Sequence, residues 1–296
     1  MSARISVCQH NELPCLQVTH PQGSALIALQ GAQVLEYTPH GQQPVIWLSE
    51  QAGFERGQSV RGGIPVCWPW FGAADRNPPS VRQLLPGGEQ PAHGWVRNAP
   101  WVLRRVDPAA ETVTLEFGFP HRRWPATFPE DVELTLTVTI GAQLSLCLST
   151  HNRSSKNLTL TQALHSYFAV SDVDQVRVGG LEQKTYVDTL AQWERRTQAG
   201  SVAINAETDR IYLGTRDGIE IIDSGWRRRI RIESKHSASA VVWNPWIDKG
   251  KRLSQFPDEA WRRMLCVETA NVLEDRVELA PGDSCHLDAR ILVVND

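Results

Sequence analysis

The segment DVELTLTVTIGAQLSLCLST, residues 131–150, decides the fold class. In each half, apolar residues alternate with polar ones. This is the period expected when successive side chains of a β-strand point to opposite faces of a sheet. Ile140 and Gly141 separate the two halves, so the segment predicts a β-hairpin with alternating faces.

Strand signals of this kind recur along most of the chain. The runs are SALIALQ (24–30), PVIWL (44–48), ETVTLEFGF (111–119), NLTLTQALHSYFAV (157–170), ASAVVWN (238–244), RRMLCVETA (262–270) and CHLDARILVV (285–294). Helical signals are few, and PDEAWRRML (257–265) predicts one or two turns at most. Short strands with frequent turn residues predict an all-β fold, a large antiparallel β-sandwich or a barrel.

The 296 residues could form two domains of ordinary size, but large all-β folds often run as one domain. No long flexible linker interrupts the chain. Residues 53–100 are instead rich in Gly, Pro, Arg and Trp, and a loop region of that length in a compact domain is usually functional. We therefore predict one domain over residues 1–296, with a site built by the loops of about 53–100.

Composition and missing motifs argue against several classes of function. The net charge of −3 argues against a broadly basic nucleic-acid partner, and no run of 18 apolar residues suggests a membrane span. The N-terminus lacks the apolar region of a signal peptide, and the six cysteines form no CxxC pair, so we expect a reduced, cytoplasmic protein. Cys147 and Cys266 lie in the strand-like apolar runs LSLCLST and MLCVETA, where we expect buried free thiols. No nucleotide-binding glycine motif and no metal-binding histidine motif occurs, so we expect neither a cofactor nor a metal.

Glu268 lies in the run MLCVETA, on the same predicted strand face as Met264, Cys266 and Ala270. A carboxylate among apolar neighbours must be paired, hydrogen-bonded, or placed in a cleft with a raised pKa. The residue could be a structural glutamate bound to an arginine. It could equally be a general base tuned by partial desolvation.

His165 lies on the less apolar face of the run TLTQALHSYFAV, with Thr159, Thr161, Ala163 and Tyr167. A single histidine on a strand is more often structural than catalytic. Its threonine and tyrosine neighbours nevertheless favour a wall that faces a ligand.

Two arginines lie in stiff loop segments. RGGIPVCWPWFG (61–72) contains Arg61, and HGWVRN (93–98) contains Arg97. Planar guanidinium groups bind phosphate or carboxylate through two parallel hydrogen bonds. Each arginine could instead form a salt bridge within the loops. The more basic stretch WRRRIRIESK (226–235) lacks aromatic residues on its basic face, so it predicts a solvated strand face with an apolar reverse.

These segments together resemble the aldose 1-epimerase superfamily. The resemblance rests on RGGIPVCWPWFG, PAHGWVRN, ALHSYF, ETDRIY (207–212), VVWNP (241–245) and CVETAN (266–271), in matching order from residue 61 to residue 271. Within the superfamily, RGGIP followed by HGxxRN is most similar to the glucose-6-phosphate 1-epimerases, also called D-hexose-6-phosphate mutarotases. The resemblance implies the large β-sandwich of galactose mutarotase-like proteins, with few short helices.

The resemblance also implies roles for six residues. His165 and Glu268 match the catalytic pair, and Arg61 and Arg97 match substrate-binding arginines expected near the phosphate. Asp209 matches a substrate-binding aspartate, and His93 a second active-site histidine. Relatives often carry Gln directly before the HG motif where this chain has Ala92, which bears on sugar preference.

The implied reaction interconverts the α and β anomers of a hexose 6-phosphate without metal or cofactor, in a protein expected to be monomeric. Its substrate would be a small phosphosugar. Two alternatives stay open, a mutarotase for free hexoses and a non-catalytic carbohydrate-binding β-sandwich. Of the 11 tryptophans, five lie in or beside the motifs and are expected to stiffen the site: Trp68, Trp70, Trp95, Trp243 and Trp246. Trp47 and Trp101 are expected in the core.

Overall fold

A computed structural model describes residues 3–120, 124–125 and 128–295. The strands, in chain order, are β1 (Arg4–His10), β2 (Leu13–His20), β3 (Gly23–Ala28), β4 (Val34–Pro39), β5 (Val66–Cys67), β6 (Val102–Pro108), β7 (Val113–Gly118), β8 (Val132–Ile140), β9 (Leu144–Asn152), β10 (Leu158–Leu160), β11 (Gln162–Leu164), β12 (Tyr167–Ala169), β13 (Val176–Gly179), β14 (Thr185–Asp188), β15 (Glu194–Thr197), β16 (Val202–Ala203), β17 (Thr208–Leu213), β18 (Ile219–Asp223), β19 (Arg228–Lys235), β20 (Ser239–Asn244), β21 (Met264–Asn271), β22 (Val277–Leu279) and β23 (Ser284–Asn295).

All helices within the described residues are short. The α-helices are α1 (Pro79–Arg82) and α2 (Trp246–Gly250), and the 3₁₀ helices span Ala74–Arg76, Val173–Gln175, Ala260–Arg262 and Leu273–Asp275. None of the helices over the described ranges is long and apolar enough to cross a membrane.

Two large sheets dominate the molecule. The nine-stranded sheet has the order β16-β13-β18-β19-β23-β9-β8-β7-β6. The eight-stranded sheet has the order β15-β14-β17-β20-β21-β11-β5, with β12 pairing beside β11 on β21. A four-stranded sheet β1-β2-β3-β4 and a β10-β22 pair complete the architecture. The predicted all-β fold, a large antiparallel β-sandwich with few short helices, is confirmed.

The hairpin predicted from residues 131–150 is present as β8 and β9, with Ile140 opposite Leu144. In both strands, buried and half-exposed residues alternate without exception. One face of this hairpin therefore packs on the core while the other faces solvent, as the sequence pattern requires. The apolar reverse predicted for residues 226–235 is also found, because Ile230 and Ile232 are buried and Arg231 is exposed.

Several local predictions need correction. PVIWL forms no regular strand, because its residues make only isolated bridges, Ile46 with Phe168 and Leu48 with Gly62. The run 157–170 is broken into β10, β11 and β12, because β10 pairs with β22 whereas β11 and β12 pair with β21 on either side of His165 and Ser166. Cys147, expected to be buried, is half-exposed on the solvent face of β9.

β20 and β21 differ from the hairpin because every residue in them is buried. Both faces of the eight-stranded sheet are therefore covered at its centre. One cluster of buried apolar residues runs through the molecule from Leu16 to Ile291. The one-domain organisation stays a prediction, and the extent of this cluster supports it.

Arg228 is the largest charged group of the core and is 2% exposed. Its guanidinium donates to the main-chain oxygens of Gln43, Pro44 and Ala169 at 2.8–3.0 Å. Burial lowers the Arg228 pKa to about 10, so the side chain is still a cation at neutral pH. It ties the segment before Trp47 to the strand that follows His165.

Replacing Arg228 with methionine should lower the free energy of unfolding by about 3 kcal/mol, because three main-chain oxygens lose a charged donor and one of them, that of Ala169, is buried. Arg231→Met on the exposed face of the same strand is the matched control and should change stability by about 0.5 kcal/mol or less. Urea unfolding followed by tryptophan fluorescence measures both. Equal losses in the two variants would contradict the structural role of Arg228.

Candidate active site

A cavity of about 570 Å³ opens against the eight-stranded sheet. All six residues singled out from the sequence line it: Arg61, His93, Arg97, His165, Asp209 and Glu268. They are up to 207 positions apart in the chain (268 − 61), so the fold alone brings them together. Their roles stay predictions, but their convergence on one cavity is a property of the structure.

Strand register explains the sheet side of the cavity. Val241 lies opposite Glu268 in the β20–β21 pair, and Asp209 lies opposite Trp243 in the β17–β20 pair. Directly opposed residues of an antiparallel sheet point to the same face. Asp209, Val241, Trp243 and Glu268 therefore share one face, and this face lines the cavity.

His165 lies in the gap between β11 and β12. Its own N–H donates to the carbonyl of Pro65 at 3.0 Å, and the Tyr167 N–H donates to the carbonyl of Gly63. The imidazole stacks on the Tyr167 ring, with 4.9 Å between the centroids and an interplanar angle of 8°. The RGGIP loop and a tyrosine thus fix the position of this histidine.

His165 and Glu268 form a buried pair. The distance from Nδ1 of His165 to Oε1 of Glu268 is 3.5 Å, and the residues are 8% and 1% exposed. Neither Nδ1 of His165 nor Oε2 of Glu268 has a hydrogen-bond partner. No arginine pairs with Glu268 among the described residues, which favours the general base over the structural glutamate.

Burial shifts both members of the pair toward their neutral forms. The pKa of Glu268 is raised well above its usual range, first by desolvation and then by Asp209. The pKa of His165 is lowered well below its usual range, first by desolvation and then by His93, Arg97 and Arg61. Without a ligand, the proton shared by the pair belongs on the carboxyl group.

His93 is held by an unusual main chain. Its φ of +66° is in the left-handed region, and Gly94 follows with φ +78°. A Cβ atom on Gly94 would lie 1.9 Å from the carbonyl oxygen of Trp68, so only glycine allows this approach. Nδ1 of His93 accepts the Gly72 N–H at 3.3 Å, which leaves Nε2 to carry the proton of the neutral ring. Burial, Arg97 and Arg61 lower the His93 pKa to about 3.

The two arginines have no carboxylate partner within the described ranges. Arg61 donates from Nε to the Ser254 carbonyl at 3.3 Å and from a terminal nitrogen to the Tyr167 hydroxyl at 3.4 Å. Nε of Arg97 is buried and has no acceptor. Among the described residues this favours the ligand-binding interpretation of the two arginines over a salt bridge within the loops.

Asp209 acts on the glutamate of the pair, whereas Arg61 and Arg97 act on its histidine. Desolvation raises the Asp209 pKa, while the Lys249 ammonium opposes that shift. Lys249 itself pairs with Glu207 at 3.1 Å. According to the member of the pair on which they act, we call Arg61 and Arg97 the cationic side of the cavity, and Asp209 with Glu268 its carboxyl side.

Several cavity residues escaped the sequence analysis. Tyr167 was noted only as a strand neighbour of His165. Trp193 lines the cavity from the turn between β14 and β15, and Arg76 lies over its ring at 5.7 Å. No motif marks that turn, so the sequence carried no signal for it. Ala92 also lines the cavity, at the position where relatives often carry Gln.

The tryptophans near the motifs mostly lie behind the site. Trp243 lines the cavity, whereas Trp68 and Trp70 are fully buried. Trp68 donates its indole N–H to Thr150 at 3.0 Å, and Trp70 packs edge-on against Trp95 at 4.8 Å. These rings support the loops that carry His93 and Arg97. Trp47 and Trp101 lie in the core as predicted.

One group of side chains could hold a metal ion. His165, Cys266 and Glu268 each offer a ligand atom, and these atoms lie within 4.8 Å of one another. The sequence motifs had suggested no such group, because Cys266 had been interpreted only as a buried thiol.

Comparisons with known proteins agree with this geometry. The family model described as "Aldose 1-epimerase" matches residues 14–291. A protein of Escherichia coli (strain K12) named "Putative glucose-6-phosphate 1-epimerase" is 34% identical over 266 residues, which cover 89% of this chain and 85% of that protein.

Solved structures give the same result. A crystal structure of a Salmonella typhimurium protein, titled "a putative mutarotase", has a TM-score of 0.87 at 30% identity and covers 99% of this chain and 94% of that one. A galactose mutarotase-like protein from Clostridium acetobutylicum shares the fold, with a TM-score of 0.79 at 17% identity, covering 100% of this chain and 99% of the other. This chain belongs to the aldose 1-epimerase family, and it is an isomerase of the epimerase type.

Proposed function

We propose that this enzyme interconverts the α and β anomers of a hexose 6-phosphate, with glucose 6-phosphate as the favoured substrate. One observation carries the proposal. A single cavity contains a buried His165–Glu268 pair and two arginines, Arg61 and Arg97, that no described carboxylate neutralises. The name of the Escherichia coli relative, which refers to glucose 6-phosphate, supports the phosphorylated substrate.

Anomer exchange needs one proton added and one removed. Opening the ring requires a proton on the ring oxygen and removal of the proton from the C1 hydroxyl. In the proposed mechanism, His165 as an imidazolium donates the first proton and Glu268 as a carboxylate accepts the second. Rotation about C1–C2 then exposes the other carbonyl face, and the two residues exchange roles as the ring closes.

This mechanism needs the charged form of the pair, whereas the free cavity favours the neutral form. Binding of the substrate phosphate shifts the pair from the neutral form to the charged form. Arg97 and Arg61 are among the groups that lower the His165 pKa, but the Glu268 shift arises from burial and Asp209. A phosphate dianion bound by the arginines therefore raises the pKa of His165 more than that of Glu268. Binding moves the shared proton onto the imidazole, ready for the ring oxygen.

Asp209 and His93 complete the proposed contacts. The Asp209 carboxyl group can accept hydrogen bonds from sugar hydroxyls beside Glu268, and Nε2–H of His93 can donate one to a sugar oxygen. The phosphate contact orients the sugar through binding energy remote from C1. A mutarotase for free hexoses remains the alternative, and the arginine test below separates the two. A non-catalytic carbohydrate-binding role is disfavoured because binding needs no buried acid/base pair.

Glu268→Gln and His165→Ala should each abolish accelerated anomer exchange, with a loss of about 10²–10⁴-fold, because each removes one proton-transfer group. Exchange between the anomers of glucose 6-phosphate is measured by NMR, with the spontaneous rate subtracted. Glu278→Gln, an exposed strand glutamate, is the control, and unchanged thermal unfolding confirms that each variant folds. A near-wild-type rate in either variant would refute the assignment.

Arg97→Ala should lower kcat/KM for glucose 6-phosphate by about 10- to 100-fold, the loss expected for hydrogen bonds to a charged group. The value for free glucose should change far less, because glucose offers no phosphate to bind. Arg82→Ala, which removes the same charge from an exposed position on α1, should leave both values unchanged. Equal losses for the two sugars would count against a phosphate site and favour the free-hexose alternative.

The pH profile of kcat/KM should show that the pair works with one proton. In the free enzyme that proton is on Glu268, and a second proton inactivates the pair only when it reaches His165, whose pKa is lowered well below the usual value of 6.5. Activity should therefore persist on the acid side to well below pH 6.5. Because the substrate phosphate itself takes up a proton near about pH 6, glucose 6-sulfate serves as the control sugar. A decline that begins at pH 6.5 or above with the sulfate would contradict the lowered His165 pKa.

A further inference from the structure

Cys266 faces the cavity side of the sheet, although the proposed reaction does not use it. In β21 it is two residues from Glu268, so both side chains point to the same face. Its strand partners are Trp243 in β20 and Tyr167 in β12, which line the cavity. The thiol is fully buried beneath these two rings.

Cys266 completes a set of three ligand atoms. A nitrogen of His165, the sulfur of Cys266 and an oxygen of Glu268 lie within 4.8 Å of one another. Bond lengths of about 2.0–2.3 Å in tetrahedral Zn²⁺ sites place ligand atoms about 3.3–3.8 Å apart. The 3.5 Å between His165 Nδ1 and Glu268 Oε1 is already in that range. Side-chain rotations that move the sulfur by about 1 Å would complete the geometry.

Two of the three residues carry a polar atom that is otherwise unused. Nδ1 of His165 and Oε2 of Glu268 are buried without a hydrogen-bond partner. Buried polar atoms without a partner are rare in folded proteins, and a bound cation is one explanation for them. Mixed nitrogen, sulfur and oxygen ligands are those that Zn²⁺ prefers.

The charge balance permits a divalent cation. A glutamate carboxylate and a cysteine thiolate would neutralise Zn²⁺, with His165 as a neutral ligand. Asp209 adds a carboxyl group on the same side, and its field acts on both Glu268 and Cys266. Arg61, Arg97 and Lys249 oppose the cation, and Lys249 is already paired with Glu207.

We propose that His165, Cys266 and Glu268 form a three-ligand site for Zn²⁺ or a similar thiophilic divalent cation, with the fourth position open to the cavity. Occupancy removes both proton-transfer groups, so the cation is an inhibitor and not a cofactor. The binding step stands independently, whereas the inhibition rests on the proposed function. Two protons leave on binding, one from the thiol and one from the Glu268 carboxyl group; bonds from the cation to sulfur and oxygen replace the S–H and O–H bonds with no change in oxidation state.

Titration of the full-length protein with Co²⁺ tests binding directly, because a cobalt–thiolate bond gives a charge-transfer absorption band in the near ultraviolet. We expect one equivalent to produce the band in the wild type. Cys266→Ser, and Cys266→Ala as a second variant, should abolish it. Cys147→Ala is the matched control, because its sulfur lies 3.8 Å from Nδ1 of His286 on the outer sheet face and could capture a metal nonspecifically. Absence of the band in the wild type, or its persistence without Cys266, would overturn the proposal.

Anomer exchange measured over a series of buffered Zn²⁺ concentrations tests the inhibition. The wild type and Cys147→Ala should lose activity, and a chelator should restore it. The Cys266 variants should keep their basal rate and need at least about 10-fold more Zn²⁺ for the same inhibition. Equal sensitivity with and without Cys266 would overturn the inference. If Co²⁺ binds as expected but no aldose is exchanged, the proposed function fails and the metal site stands.

Discussion

The burial of Glu268 is the constraint on which the site depends. Its strand is covered on both faces, and the carboxyl group lies in this covered layer with a histidine as its one ion-pair partner among the described residues. Burial of an unpaired carboxylate is costly, so burial favours the protonated form and raises the pKa of Glu268. The same property makes it a suitable proton acceptor for a sugar hydroxyl.

The loop region between the first sheet and β6 makes this arrangement possible. Carbonyls of Gly63 and Pro65 hold the main chain around His165, and Gly94 lets the His93 segment approach Trp68. Buried tryptophans support these loops from behind, which explains why this protein needs so many of them near its motifs. The loops therefore fix the histidines and supply the arginines, while the sheet supplies the carboxyl groups.

Two kinds of feature could be predicted from the sequence. These are the strands in which apolar and polar residues alternate, and the cavity residues that lie within sequence motifs. β8 and β9 were predictable because one face meets solvent, so their pattern is visible along the chain. β20 and β21 are buried on both faces, and their pattern alone could not show which side faces the cavity. The segment PVIWL looked like a strand because it is apolar, but it meets β4 and β12 only through isolated hydrogen bonds and bridges. Trp193 and the cavity position of Cys266 depend on turns and strand register that no short motif encodes.

The cavity joins two opposite electrostatic sides around one proton. Burial, followed by His93, Arg97 and Arg61, lowers the His165 pKa, while burial, followed by Asp209, raises the Glu268 pKa. In our proposal, two ligands change the protonation of the pair. A phosphate dianion acts by binding Arg61 and Arg97, and a thiophilic cation acts by binding Glu268 and its neighbours. The phosphate drives the proton onto His165 and prepares the reaction, whereas the cation removes the proton and blocks it. The proposed preference for a phosphorylated sugar and the proposed inhibition by Zn²⁺ thus follow from one feature. The protonation of the buried acid/base pair depends on the charged groups on its cationic and carboxyl sides.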